Sequence, residues 1–260
     1  MDADFRHEFY EHPGPAGAGA GSLEGRARRA YRAWARAKFL PLLGGLPRDA
    51  TLLDLGCGSG EFLAFLGDCG FTRAEGVDVS ESRVREASAR GLKATRADAF
   101  ELLGSAAGRF DAIVALDVLE HFTREEGLNL LGRVFRALKP NGRLVLQTPN
   151  GQGLFAGPVA LGDLTHAAVY VPASLEQALR ARGFEAVEFR EAGPAPKNLA
   201  GVLRLALWTG LKLAVDAALL VENGASQRGL HHGIWTQNLI CRCRKPAGAG
   251  EAQGPSAGRP

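Results

Sequence analysis

Cysteine is scarce, and its placement rules out the usual structural uses. Cys57, Cys69, Cys241 and Cys243 have no zinc-ligand spacing, and the closing Cys-x-Cys is not a redox pair. A reducing, cytoplasmic setting is the simple expectation. The apolar core of a signal peptide is also missing, because Met1 to Glu11 carries Asp2, Asp4, Arg6, Glu8 and Glu11. Neither sign of charge is in large excess: the net charge is +3. No basic patch interleaved with aromatics is visible, which argues against a nucleic-acid partner. There is no internal repeat. The one long apolar run, Leu199 to Val221, is interrupted by Arg204, Lys212 and Asp216, and those charges argue against a membrane span.

What remains is an ordinary globular composition. A chain of 260 residues, 46% hydrophobic and 23% charged, suits one α/β domain with a substantial core. Residues 1–22 read as a flexible N-terminal segment that includes a Pro- and Gly-rich linker at 12–22. The tail 246–260 is poor in apolar residues and reads as disordered. The domain is placed at 23–245 and opens with a basic amphipathic helix at 23–43, stopped by Gly44-Gly45 and Pro47.

Strand and helix patterns then alternate: strands at 51–55, 73–79, 92–96, 110–116 and 143–148, and helices at 60–68, 81–89, 99–103 and 123–138. A glycine-rich loop runs to about 170, followed by a helix at 173–182 and a strand at 184–190. Such alternation predicts a mostly parallel sheet with helices on both faces and ligands beyond the carboxyl ends of the strands.

The run Leu52-Leu53-Asp54-Leu55-Gly56-Cys57-Gly58-Ser59-Gly60-Glu61 reads as a buried strand, a glycine turn and the start of a helix. Gly56, Gly58 and Gly60 let the backbone take positive φ and lie close to a ligand, while the new helix offers unpaired N–H groups. A second strand ends in Gly76-Val77-Asp78-Val79. A dinucleotide-binding turn would be spaced G-x-G-x-x-G, whereas this chain has G-x-G-x-G.

With strand, glycine turn, helix, strand and acid in that order, residues 50–190 resemble the class I S-adenosylmethionine (SAM) methyltransferases. The resemblance implies a Rossmann-like sheet of seven strands with a reversed last hairpin, here pairing 184–190 with 234–244 around a helical insertion at about 191–233. It implies SAM as cofactor, with Asp54, Gly56, Gly58 and Gly60 at the first motif and Asp78 with Val79 at the ribose. Asp98 and Ala99 would lie at the adenine, and Leu116 with Asp117 beside the methionyl end. The bland alternative for each acid is a helix N-cap or a turn former.

Asp117-Val118-Leu119-Glu120-His121-Phe122 follows the fourth strand, where the transferred methyl group lies in this fold. One α-helical turn would bring Asp117, Glu120 and His121 to one face. Gly162-Asp163-Leu164-Thr165-His166 adds a second histidine after the Thr148-Pro149-Asn150 strand end. Similar segments ligate metal in the small-RNA 2′-O-methyltransferases, so Asp117, Glu120, His121 and His166 form a candidate site for a divalent cation such as Mg²⁺. Asp in place of the family's first Glu shortens one ligand. A second reading makes His121 or His166 a general base without metal, and a third makes both structural.

The expected activity is O-methylation of a hydroxyl on a small molecule, a sugar or a lipid-linked intermediate. An RNA 2′-O-methyltransferase and a non-catalytic SAM-binding scaffold are the alternatives. The arginines of the first helix (Arg26, Arg28, Arg29, Arg32, Arg36) read as a solvated face, or as supplying one group to the SAM carboxylate or an acidic substrate. His231 and His232 read as exposed. The helix at 199–221 is expected to pack on the domain or close the substrate pocket, or else to make peripheral contact with the inner face of a membrane.

Overall fold

The computed structural model describes residues 25–196, 198–224 and 233–248. The segment 1–22, His231, His232 and most of the tail 246–260 therefore lie outside the described residues.

The chain opens with helix α1 (Gly25–Lys38) and a single 3-10 turn, Leu40–Leu42. Then follow β1 (Thr51–Leu55), α2 (Glu61–Asp68), β2 (Arg73–Asp78), α3 (Glu81–Ala89), β3 (Ala94–Arg96), α4 (Ala99–Gly104) and β4 (Phe110–Leu116). After a 3-10 turn at Leu119–His121 come α5 (Arg124–Ala137), β5 (Leu138–Pro149), the one-turn α6 (Gly157–Ala160), α7 (Pro172–Ala181) and β6 (Glu185–Glu191). Helix α8 (Leu199–Asn223) and β7 (Asn238–Arg244) complete it.

The seven strands form one sheet in the order β3-β2-β1-β4-β5-β7-β6, with β7 antiparallel to both neighbours. This is the expected sheet with its reversed hairpin. Alternation along β4 shows how it is buried on both faces. Ile113 joins Leu53, Leu144, Leu130 and Phe135 in one core, while Ala112 and Val114 join Leu52, Val145, Phe62 and Phe65 in the other.

Three details of these elements depart from expectation. The first helix ends at Lys38 instead of 43, because Pro41 has no N–H for an α-helical bond and the chain tightens into the 3-10 turn. The Lys139-Pro140-Asn141-Gly142 segment is a bulged start of β5, not a turn outside it. Asn141 takes φ of 62°, and the β4 register slips between Phe110 and Ala112. The arginines of α1 are not a wholly solvated face: Arg32 pairs with Asp68 at 2.8 Å, and Arg28 lies 3.8 Å from Glu61.

The carboxyl ends of β1, β2, β4, β5 and β6 share one edge of the sheet. Everything that carries chemistry sits there. Among the described residues no helix is long and apolar enough to cross a membrane.

Candidate active site

The glycine turn after β1 is folded back onto β2. Gly56 and Cys57 both donate their N–H to the Val77 carbonyl, at 2.8 and 2.9 Å. Gly56, with φ of +72°, has no room for a side chain, since an added Cβ would meet Val118 Cγ2 at 2.4 Å. Val118 precedes Glu120 by two residues, so the turn lies against the segment that leads into the histidine cluster. Asp78 ties the other side: Gly58 N–H donates to Oδ2 at 2.8 Å and Ser80 N–H to Oδ1 at 2.9 Å. Each oxygen keeps a second lone pair for a hydroxyl donor.

Asp98 caps α4, its Oδ1 accepting from the N–H groups of Phe100 and Glu101. The cap uses Oδ1, and Ala99, the first residue of α4, is among the helix-start residues whose N–H has no intrahelical acceptor. Asp54 is fully buried beneath the turn and accepts from the Leu63 N–H. Its Oδ2 has no hydrogen-bond partner. Burial first, then the nearby Asp78 charge, pushes its pKa up to about 8. A buried carboxylate with one orphaned oxygen fits a ligand that brings an ammonium group.

Asp117 ends this row. Its φ is +54°, a left-handed conformation unusual outside glycine, and its carboxylate accepts from Gln147 Nε2 at 2.9 and 3.1 Å. Tyr31 of α1, not singled out from the sequence, packs against the core near Asp54, Asp117 and Glu61. Burial raises its hydroxyl pKa, and the charges of Asp54, Asp117 and Glu61 raise it further. Its signal was the i, i+4, i+8 stripe it shares with the buried Ala35 and Phe39.

Glu120, His121 and His166 come together with one ligand atom each, all within 4.8 Å of one another. Asp117 is left out of this group. Residues 119–121 form a 3-10 turn entered from a left-handed residue, so the expected α-helical i, i+3, i+4 face does not form. The loop bearing His166 is pinned to the turn by Ala167 and Ala168, whose N–H groups donate to the Glu120 carbonyl at 2.8 and 3.1 Å.

Glu120 is almost fully buried. Thr148 Oγ1 donates to its Oε2 at 3.0 Å, and Oε1 has no partner. Burial, then the Asp117 charge, raises its pKa well above the usual carboxylate range.

The two imidazoles are each fixed through Nδ1. Thr165 Oγ1 donates to Asp163 Oδ1 at 2.7 Å, so at 2.7 Å from that oxygen His121 Nδ1 must be the donor. His166 Nδ1 faces the Ala160 carbonyl at 3.1 Å, which can only accept. Both rings therefore carry their neutral-state lone pair on Nε2. Burial and the neighbouring His166 push the His121 pKa down to about 4. Burial acts to raise the Asp163 carboxyl, but the Thr165 hydrogen bonds and both imidazoles outweigh it and hold its pKa below the ordinary value.

Two imidazole nitrogens and one carboxylate form a donor set for a borderline divalent ion better than for Mg²⁺, which prefers oxygen. The spread of up to 4.8 Å is wider than the roughly 3–4 Å between ligands that bind one ion at about 2 Å. The same imidazoles, each held at Nδ1, have the chemistry of proton acceptors as well.

Cys57 is buried and its thiol is pushed upward in pKa by burial, so it is a turn residue and not a nucleophile. Cys241 and Cys243 pack in the core as free thiols.

Comparison with known proteins bears on the family and the fold. The chain is 32% identical over 171 residues to a 27-O-demethylrifamycin SV methyltransferase of Amycolatopsis mediterranei, covering 60% of this chain and 59% of that protein. It is 31% identical over 106 residues to a ubiquinone biosynthesis O-methyltransferase of Caulobacter vibrioides, covering 38% of this chain and 41% of the other. The chain thus spans less than two thirds of the length of these curated relatives. A SAM-dependent methyltransferase from Archaeoglobus fulgidus superposes with a TM-score of 0.61 at 23% identity, over 84% of this chain and 94% of that one. Phosphoethanolamine N-methyltransferase 2 of Haemonchus contortus does so with a TM-score of 0.57 at 19% identity, over 85% and 57%. At such identity these two speak to the fold alone. The model of a methyltransferase domain matches residues 26–188, more than half of the sequence, and the chain belongs to that family of class I SAM-dependent methyltransferases.

Proposed function

We propose that this chain transfers the methyl group of SAM to a hydroxyl oxygen of a small-molecule, sugar or lipid-linked acceptor. The observation that carries the reading is the pair of imidazoles, each held at Nδ1 and grouped with the Glu120 carboxylate within 4.8 Å, on the segment that follows β4. A hydroxyl is a poor nucleophile until its proton leaves, whereas a thiol or a free amine needs less help.

When bound, SAM supplies a sulfonium methyl group that is already strongly electrophilic. The residues of the chain hold, align and deprotonate. Asp54 Oδ2 would take the cofactor's ammonium, Asp78 the ribose hydroxyls, and Asp98 with the Ala99 N–H the adenine edge. Gly56, Gly58 and Gly60 let the backbone approach closely, and Val79, Leu116 and Asp117 flank the cofactor. Tyr31 would cover the cleft and exclude water. His121, neutral across the physiological range, accepts the acceptor's proton at Nε2. Asp163 then stabilises the imidazolium through Thr165, and His166 stands beside it as a second acceptor. Alignment of oxygen and methyl carbon accounts for much of the acceleration such a site can supply.

The segment that delivers His166 also exposes Phe155, Leu161 and Leu164, each more than half open to solvent. An acceptor with an apolar body would cover them. The O-methyltransferases among the curated relatives point the same way. Metal assistance through Glu120, His121 and His166 remains the alternative route to the same deprotonation, the ion being borderline in type.

The test is incubation with methyl-labelled SAM and a panel of hydroxylated, amine and thiol acceptors, with product identification by mass spectrometry and NMR. A methyl ether on an apolar-bodied acceptor is the expected product. Label transferred only to nitrogen or sulfur would overturn the assignment, and runs with a chelator and with added Mn²⁺ or Zn²⁺ separate base from metal.

A further inference from the structure

Helix α8 is attached to the domain by the wrong face for a soluble amphipathic helix. Its links are polar. Lys212 Nζ pairs with Glu191 Oε2 at 2.9 Å, Trp208 Nε1 lies 3.3 Å from both Glu191 oxygens, and Trp235 Nε1 donates to Asp216 Oδ1 at 3.1 Å. In helical projection Arg204 and Glu222 fall on the same side, so all four charged residues of α8 occupy one half of the circumference. The other half carries no charge, and it faces solvent. Leu199 is 84% exposed, Leu203 59%, Leu207 65%, Leu213 65% and Val221 88%, and no residue of the helix is buried. Helix α8 thus meets the domain through its polar side and leaves its apolar side open.

We propose that this face is the interface through which two copies of the chain associate. Leu199, Val202, Leu203, Leu207, Leu213 and Val221, each more than half exposed, line one side of the helix along its whole length. A monomer's surface scatters such residues singly or in patches of roughly 300–600 Å², and a run of this extent is the kind of surface that an interface covers.

The face is also self-complementary. Leu199, Leu203, Leu207 and Leu211 recur every four residues and form a ridge. Ala206, Gly210, Ala214 and Ala218 recur every four residues beside it and form a groove. Two such helices related by a twofold axis can seat ridge in groove in both directions, crossing at about −50°. A bilayer fits less well. The outward half has no Lys, Arg, Trp or Phe to anchor at headgroups, and Trp208 is turned inward to Glu191.

The test is sedimentation equilibrium of the full chain across a concentration series, beside Gly210→Leu and the pair Leu203→Lys/Leu207→Lys. A Cβ at Gly210 meets nothing within 4 Å, so Gly210→Leu fills the groove without disturbing the monomer. The wild type is expected to be a dimer, and both variants monomers at the same concentration that keep the wild-type helix content and a single cooperative unfolding transition. Three results overturn the proposal: a monomeric wild type at every concentration, an oligomer that both variants leave intact, or a monomer that pellets with neutral phosphatidylcholine vesicles. None of these bears on whether SAM binds.

Discussion

His121 and His166 meet edge to face, with ring centroids 4.9 Å apart and planes at 72°, although they stand 45 positions apart in the sequence. The contact exists because the loop after β5 is clamped to the Glu120 carbonyl. Replacing either histidine by alanine should leave SAM affinity unchanged and lower the rate of transfer by about 10²- to 10⁴-fold, the range a general base supplies. Isothermal titration and single-turnover kinetics on the same preparations check the two halves separately. Loss of binding in step with rate would instead make the pair structural.

Thr165 acts through His121. Thr165→Val removes the hydroxyl that fixes the imidazole tautomer and passes the Asp163 charge to the ring. The expected outcome is roughly a tenfold loss in the chemical step, given that such a hydrogen bond contributes about 1 to 1.5 kcal/mol. Thr165→Ser should restore most of the rate. The pH–rate profile should shift in the Val variant and return in the Ser variant, which a merely structural role would not produce.

Gly56 and Val118 form the seam between cofactor cleft and base. Gly56→Ala places a Cβ 2.4 Å from Val118 Cγ2 on a backbone with φ of +72°, so both overpacking and left-handed strain oppose it. A destabilisation of about 2–4 kcal/mol is expected. Adding Val118→Ala removes the overlap but not the strain. The double variant should thus recover part of the loss, in a double-mutant cycle read by urea unfolding.

The alternation of strands and helices, the glycine turn and the acids near successive strand ends were legible because each rests on local pattern: buried apolar runs, glycines at a tight turn, and Asp at a helix start. The reversed last hairpin came from the family resemblance alone. What the sequence did not disclose were facts of backbone detail and long-range approach. Nothing local says that Asp117 turns left-handed, and that single residue removes it from the Glu120, His121 and His166 group. Tyr31 comes near Asp54 and Asp117 only through the packing of α1 beside α2. The orientation of α8 was hidden for a different reason. Its amphipathic pattern is plain, but the usual rule that the apolar stripe faces inward is reversed by Glu191 and Trp235.

Asp54 sets a pH signature. Its pKa is about 8 in the folded chain against an ordinary value of 3.8, so between these values the folded state holds a proton that the unfolded state has released. Stability from this group is fully present below about pH 4 and falls as pH rises, by up to about 1.4 kcal/mol per unit, levelling off above pH 8. Asp54→Asn should flatten that slope in unfolding measured from pH 5 to 8. A profile identical to the wild type would show that Asp54 ionises freely.

The most direct measurement is calorimetric titration of the chain with SAM, run beside Asp78→Ala. Asp78 holds the glycine turn through Gly58 and Ser80 and keeps lone pairs for the ribose. Saturable binding at one site per chain is expected, weakened at least 10- to 100-fold in the variant, as loss of hydrogen bonds to a charged group predicts. Absence of SAM binding by the wild type, or equal binding by both proteins, would contradict the cofactor site on which the whole account rests.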